Sequence, residues 1–270
     1  MKIAFIGCGN MAQSLIGGMI ANGTSGSDIV VADPSDAATA DAAKKWSVTV
    51  ASNNNEAVSD AGVVVLAVKP QQMKTVLTGI SNQLTDQLLV SIAAGIQTKD
   101  MMIWADTPQV AMVRCMPNTP ALLQCGATGL FAAGNVTDVQ RTIAEDILKA
   151  VGLTAWVEQE SQLDAITALS GSGPAYFFLM IEAMTEAATE LGLSRDLAIQ
   201  FATQTALGAA RMTTESDVTP AQLRRNVTSP AGTTEAALNS FNKSNFIQIV
   251  AHAMQAADKR ARELGRELGQ

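Results

Sequence analysis

The sequence predicts an α/β N-terminal part built on a doubly wound parallel sheet, followed by an all-α C-terminal domain. Three observations carry that prediction. Short β-branched runs alternate with helical stretches up to about residue 157, the pattern of parallel strands joined by crossover helices. After Glu158 the β signals stop and long Ala-rich helical sequence follows. A glycine turn, Gly7-Cys8-Gly9, comes directly after the first run and opens a helix. The 270 residues leave room for two modest domains, placed here at 1–158 and 159–270.

In order, the strand KIAFIG leads to a helix from Met11 to Asn22, DIVVAD to a helix from Ala37 to Trp46, and GVVVLAV to a helix from Gln71 to Ile80, with LLVSIAA next. VAMVRC, ATGLFAA and LTAWVE read as further strands of the same sheet. Nearly continuous apolar strands suit a parallel sheet covered by helices on both faces. The C-terminal helices are expected over 161–169, 174–191, 195–212, 220–226, 232–242 and 245–268. In the last of these, Phe246, Ile249, Val250, Ala253, Ala257, Ala261, Leu264 and Leu268 share one face, with Lys259, Arg262, Glu263 and Arg266 mostly elsewhere. Tyr176–Ile181 is apolar almost all round. Such faces serve either a monomeric helical core or a dimer interface in which small Ala side chains allow close packing; a homo-oligomer is the favoured reading.

Composition removes several classes of function. The longest apolar runs fall far short of the ~18 residues a membrane span needs. Asn10 and Gln13 interrupt the apolar start, which argues against a secretory leader. Three scattered cysteines, Cys8, Cys115 and Cys125, form no CxxC pair and fit a reduced, cytoplasmic compartment. The net charge of −7 is spread evenly, with 9 basic and 12 acidic groups in residues 1–150 and 9 and 13 in the rest, so nucleic acid and membrane are not expected partners. A single histidine, His252, leaves no basis for a Ser-His-Asp triad, a Cys-His dyad or a His-rich metal site, and no metal is expected.

The glycine turn carries the first chemistry. Gly7 permits a tight turn, Gly9 lets backbone approach a pyrophosphate, and Ala12 lets helix and strand pack closely, the Rossmann-like dinucleotide pattern in its proper strand–turn–helix context. Unpaired amides at the helix start would face the phosphates. Asp33 ends the second strand, where a carboxylate accepts ribose 2′-OH and repels a 2′-phosphate; no Arg lies near it, and Lys44 and Lys45 come a helix later. Ala67-Val68-Lys69-Pro70 and Ser91-Ile92-Ala93-Ala94-Gly95 end two further strands at the edge where such sheets bind ligands, and Met116-Pro117-Asn118-Thr119-Pro120 ends the next with a rigid double-proline loop. Lys69 reads equally as a plain surface lysine.

Two polar segments interrupt the apolar helices. Ser170-Gly171-Ser172-Gly173-Pro174-Ala175-Tyr176 reads as a flexible stretch with Pro opening a helix. Val227-Thr228-Ser229-Pro230-Ala231-Gly232-Thr233-Thr234 sets clustered hydroxyls at a helix N-terminus; capping explains Ser229 or Thr233 alone, and the cluster resembles a carboxylate pocket.

Across its length the chain resembles the pyrroline-5-carboxylate reductase family. The resemblance rests on GCGNMA, AVKP, SIAAG, MPNTP, SGSGPAY and PAQLRRNVTSPAGTTEAAL, and the last is specific in combination with the others. It implies a Rossmann domain, a helical dimerisation domain whose helices interleave between subunits, and often a ring of five dimers. It implies cofactor contacts at Ile6, Gly7, Cys8, Gly9, Asn10, Met11, Asn54, Ala67, Val68, Lys69, Pro70, Ile92, Ala93, Ala94 and Asn226, joined by Asp33 from the reading above. Substrate contacts fall on Thr233 and Thr234, with the Ser229–Gly232 turn holding the carboxylate. NADP-preferring members carry a small or polar residue where this chain has Asp33, so NADPH and NADH both stand as cofactors.

The implied reaction is hydride transfer from NAD(P)H to the C=N carbon of Δ1-pyrroline-5-carboxylate, giving L-proline, the last step of its synthesis. That chemistry needs no histidine, and Thr234 is the expected catalytic hydroxyl, hydrogen-bonding the ring nitrogen. Two rivals remain. A β-hydroxyacid dehydrogenase would carry a Lys four positions after Gly173, where this chain has Phe177. A catalytically silent nucleotide sensor would bind nucleotide without turnover and would need no second polar pocket.

Overall fold

A computed structural model describes residues 1–107 and 110–269. Packing divides the chain into two compact units, one of Met1–Ser172 together with the stretch from Ala257 onward, the other of Gly173–Ala256.

The first unit holds an eight-stranded sheet: β1 (Ile3–Ile6), β2 (Ile29–Ala32), β3 (Thr49–Val50), β4 (Val63–Leu66), β5 (Leu88–Ser91), β6 (Ala111–Met116), β7 (Gly126–Ala132) and β8 (Gly152–Trp156), in the order β3-β2-β1-β4-β5-β6-β7-β8. Its helices are α1 (Asn10–Ala21), α2 (Asp36–Trp46), α3 (Asn54–Val58), α4 (Met73–Ile80), α5 (Thr98–Trp104), α6 (Asp138–Lys149) and α7 (Gln162–Ile166). Alternate strand residues face opposite layers. Phe5, Val63, Val65, Val90 and Val113 pack with Leu15 and Ile16 of α1 and Ile147 and Leu148 of α6. Ala4, Ile6, Val64, Leu66 and Leu89 pack with Val58, Met73, Leu77 and Met101 from α3, α4 and α5. Both faces are therefore buried, which is why the strands read as unbroken apolar runs.

The sheet is parallel, as expected, but for one pair of strands. β6 and β7 pair antiparallel, Val113 opposite Ala132 and Met116 opposite Gly129. Only residues 117–125 connect them, shorter than the dozen or so residues a parallel crossover requires. β7 and β8 are parallel again, with α6 as the crossover. The sequence reading also leaves out α3, α5, α6 and β3. α6 starts at a capping box in which Thr137 Oγ1 accepts from Gln140 N–H while Gln140 Oε1 accepts from Thr137 N–H at 3.0 Å.

The second unit contains α8 (Gly173–Glu190), α9 (Arg195–Thr214), α10 (Pro220–Asn226), α11 (Thr233–Lys243) and the first half of α12 (Phe246–Leu268). Ser194 and Thr219 cap α9 and α10 through their hydroxyls. The segment read as flexible at 170–176 is ordered: α7 continues into a π-helical turn over Thr167–Gly171, and α8 begins at Gly173. The expected second domain starts at 159, whereas packing joins 159–172 to the sheet, because Glu160 and Asp164 lie against Arg114 of β6.

Candidate active site

The glycine turn sits where the strand order reverses, between β1 and its two neighbours β2 and β4. This is the position at which open α/β sheets bind ligands. Gly7 has a φ of +97°, and a Cβ there would lie 2.5 Å from the Ala67 carbonyl oxygen, so both backbone conformation and the end of β4 require glycine. A Cβ at Gly9 would meet nothing within 4 Å, so that face of the turn is open for a ligand's approach. Gly9 is also the N-cap of α1, with no side-chain cap and no acidic residue in the first turn. The α1 amides and the positive end of its dipole thus suit a pyrophosphate, and the turn fits a dinucleotide.

A cleft of about 330 Å³ opens beside this turn. Gly9, Asn10 and Met11 line one side, Ala67–Pro70 and Ile92–Ala94 the next, each at the carboxyl end of its strand. Met116 and Pro117 complete it, two residues absent from the expected contacts although the double-proline loop marked them. Ile6, Gly7 and Cys8 are buried behind the lining. Asn54 is half-buried at the first position of α3, and its neighbour Asn53 caps that helix, accepting from Glu56 N–H at 3.0 Å. Asn226 lies in the second unit, exposed at the end of α10, accepting from Gln222 Nε2 at 2.7 Å.

Asp33 does more than end β2. Its Oδ2 accepts from Cys8 N–H at 2.7 Å and its Oδ1 from Ser35 N–H at 2.8 Å, so the carboxylate ties the glycine turn to the loop that opens α2. Burial, with the charges of Asp33 and Asp41 adding to it, pushes the Cys8 thiol up to about 11.

Side chains behind the cleft fix its far wall. Asn118 is buried in the double-proline loop; its Nδ2 donates to the Ser170 carbonyl at 3.0 Å and its Oδ1 accepts from Ala127 N–H at 2.9 Å. The π-turn is thereby clipped to the double-proline loop and, through Asn118, to the start of β7. Arg114, two residues earlier and 2% exposed, donates to Glu160 Oε1 at 3.1 Å, and Asp164 Oδ1 lies 3.9 Å from it. Glu160 also accepts from Thr98 N–H at 2.7 Å and Thr98 Oγ1 at 2.9 Å. Burial pushes the Asp164 carboxyl above the usual range, opposed by Arg114 and Arg262.

The hydroxyl cluster belongs to the second unit. Gly232 caps α11 without a side-chain bond, and the Thr233 and Thr234 hydroxyls have no hydrogen-bond partner among the described residues. Ser229 folds over the turn: its carbonyl accepts from Gly232 N–H at 3.1 Å, and a Cβ at Gly232 would meet its Oγ. Ala231 has a φ of +58°, unusual for a residue with a Cβ, and its N–H donates to Glu235 Oε2 at 2.8 Å. The tight turn, a helix start without a side-chain cap and two hydroxyls free of protein partners among the described residues, Thr233 exposed and Thr234 half-buried, together suit a small carboxylate.

Two family models match the chain. Residues 2–95 match an NADP oxidoreductase, coenzyme F420-dependent, and residues 160–264 match a pyrroline-5-carboxylate reductase dimerisation domain. The pyrroline-5-carboxylate reductase of Pseudomonas aeruginosa is 52% identical over 270 residues, covering 100% of this chain and 98% of that one. A solved pyrroline-5-carboxylate reductase from Coxiella burnetii superposes with a TM-score of 0.94 at 44% identity, covering 97% of this chain and 98% of that one. A Plasmodium falciparum pyrroline carboxylate reductase, solved with NADP bound, gives 0.86 at 31% identity and 98% coverage of each. The dinucleotide turn at the strand reversal, the helical second unit and this full-length likeness agree: the chain belongs to the pyrroline-5-carboxylate reductase family.

Proposed function

We propose that the chain reduces Δ1-pyrroline-5-carboxylate to L-proline with NADH or NADPH, the last step of proline synthesis. The observation that carries this reading is the cleft at the ends of β1, β4, β5 and β6, entered by the uncapped start of α1, in a chain alike over its whole length to reductases of that substrate. When bound, the reduced nicotinamide supplies the hydride. The amides of Gly9, Asn10 and Met11 hold the pyrophosphate, and the small residues Ala67, Ala93 and Ala94 leave space for a flat ring. Ser229–Gly232 and the start of α11 hold the substrate carboxylate, and the Thr234 hydroxyl hydrogen-bonds the ring nitrogen. A cyclic imine is protonated before or during reduction, so the residues would serve to bind and orient, and the Thr234 hydroxyl would hold the ring nitrogen as it becomes an amine.

Residues 1–158 serve as the dinucleotide domain and 159–270 as the dimerisation and substrate domain. The enzyme works as a homodimer through its helical region, assembled further as a ring of five dimers, in the cytoplasm. No helix among the described residues is long and apolar enough to cross a membrane. The reading is tested by mixing purified protein with Δ1-pyrroline-5-carboxylate and NADH or NADPH and following nicotinamide absorbance. Turnover with proline as product is expected; nucleotide binding without turnover would replace the reductase with a silent nucleotide sensor.

A further inference from the structure

The geometry around Asp33 points to a specificity that family membership leaves open: we propose that this carboxylate makes the chain selective for NADH over NADPH. The inference rests on the cleft being a dinucleotide site and goes beyond it by fixing which dinucleotide.

Asp33 is not a mobile surface acid. Two backbone amides, Cys8 N–H and Ser35 N–H, hold its two oxygens at 2.7 and 2.8 Å, and Cys8 is buried. Turning the carboxylate aside to admit an anion would strip a buried amide of its partner. The charge is therefore fixed beside the turn that receives the pyrophosphate. An ionised carboxylate has about four acceptor sites, so roughly two remain for the ribose hydroxyls after the amides are served.

The surroundings offer a second anion nothing. A 2′-phosphate is held by arginine or by free amides, and between Asp33 and Lys44 the sequence has no basic residue. The start of α2 is already engaged, with Asp36 in its first turn and the Ser35 hydroxyl accepting from Ala38 N–H. Lys44 and Lys45 both sit in the last turn of the 11-residue α2, at the end away from Asp33, and Lys45 is paired with Asp41 at 2.7 Å. A 2′-phosphate would thus meet fixed negative charge without a compensating cation, whereas a ribose diol meets acceptors.

The test uses the full-length protein, with calorimetric affinities for NADH, NADPH, ADP-ribose and 2′-phospho-ADP-ribose, repeated on Asp33→Ser. The wild type is expected to bind NADH at least about tenfold more tightly than NADPH, with the same preference in the fragment pair, which lacks the nicotinamide. In Asp33→Ser the NADPH affinity should rise relative to NADH by about tenfold or more. Equal affinities in the wild type, a preference for NADPH, or an Asp33→Ser protein that loses both nucleotides in equal proportion would overturn the selectivity while leaving the dinucleotide site intact. Binding of neither nucleotide by the wild type would overturn the dinucleotide site, and the selectivity with it. If Asp33→Ser does not fold, the wild-type fragment ratio alone decides.

Discussion

At the scale of single residues, the proposed chemistry depends on hydroxyls and backbone amides. Thr234 is expected to stabilise the developing amine with one hydrogen bond, so Thr234→Ala should lower kcat/KM by roughly 5–150-fold, the equivalent of ~1–3 kcal/mol. Steady-state kinetics read this directly, and an unchanged kcat/KM would remove Thr234 from the mechanism. The roles of Gly7 and Gly9 were legible in sequence because their motif has a physical cause: one needs a left-handed φ beside the Ala67 carbonyl, the other an open approach. The second role of Asp33 was not legible. That its oxygens take the Cys8 and Ser35 amides depends on two loops meeting, which no local spacing reveals. The positive φ of Ala231 was equally hidden, since alanine gives no sign of a left-handed turn.

Among elements, periodicity revealed most of the long ones and few of the short ones, and the twelve-residue α6 is the exception among the long. Strands buried on both faces were plain as apolar runs, but α3 and α5 span less than two helical turns each and leave little periodic signal. The antiparallel β6–β7 pair was hidden because an apolar run does not state its direction, although the short 117–125 connection held the clue. Gly265 of α12 is a second such clue: glycine inside a helix is costly by about 1 kcal/mol and so marks a close approach. A Cβ there would lie 2.7 Å from the Gly95 carbonyl oxygen, in the loop that follows Ile92–Ala94 of the cleft. Gly265→Ala is therefore expected to destabilise by about 1–3 kcal/mol despite its better helix propensity, read as a fall in Tm. A raised Tm would show that the contact has room. The buried cluster on Arg114 predicts a pH effect. The Asp164 carboxyl is raised by burial, so the folded state holds its proton more strongly than the unfolded chain. Its contribution to stability is full below the ordinary carboxylate range and is lost as pH rises through the raised value. In Asp164→Asn, urea unfolding across acidic pH should lose that part of the slope, and an identical slope would assign it elsewhere.

For the whole molecule, the second unit leaves large apolar side chains bare. Phe177, Phe178 and Phe201 are 68%, 65% and 64% exposed, beside Leu179 and Ile199, more apolar surface than a soluble monomer usually shows. The all-round apolar stretch at Tyr176–Ile181 was legible as a face needing cover, and the cover proposed is a second copy. Sedimentation should give an even multiple of the 28.2 kDa chain, and Phe178→Glu with Phe201→Glu should reduce it toward the single chain. A wild-type monomer would contradict the dimer. Hydride transfer to the imine is followed by supplying nicotinamide cofactor deuterated at C4 on its transferring face together with Δ1-pyrroline-5-carboxylate, then locating the label by mass spectrometry or NMR. L-proline carrying deuterium at the former imine carbon is expected; proline without the label, or cofactor left unoxidised, would rule the reduction out.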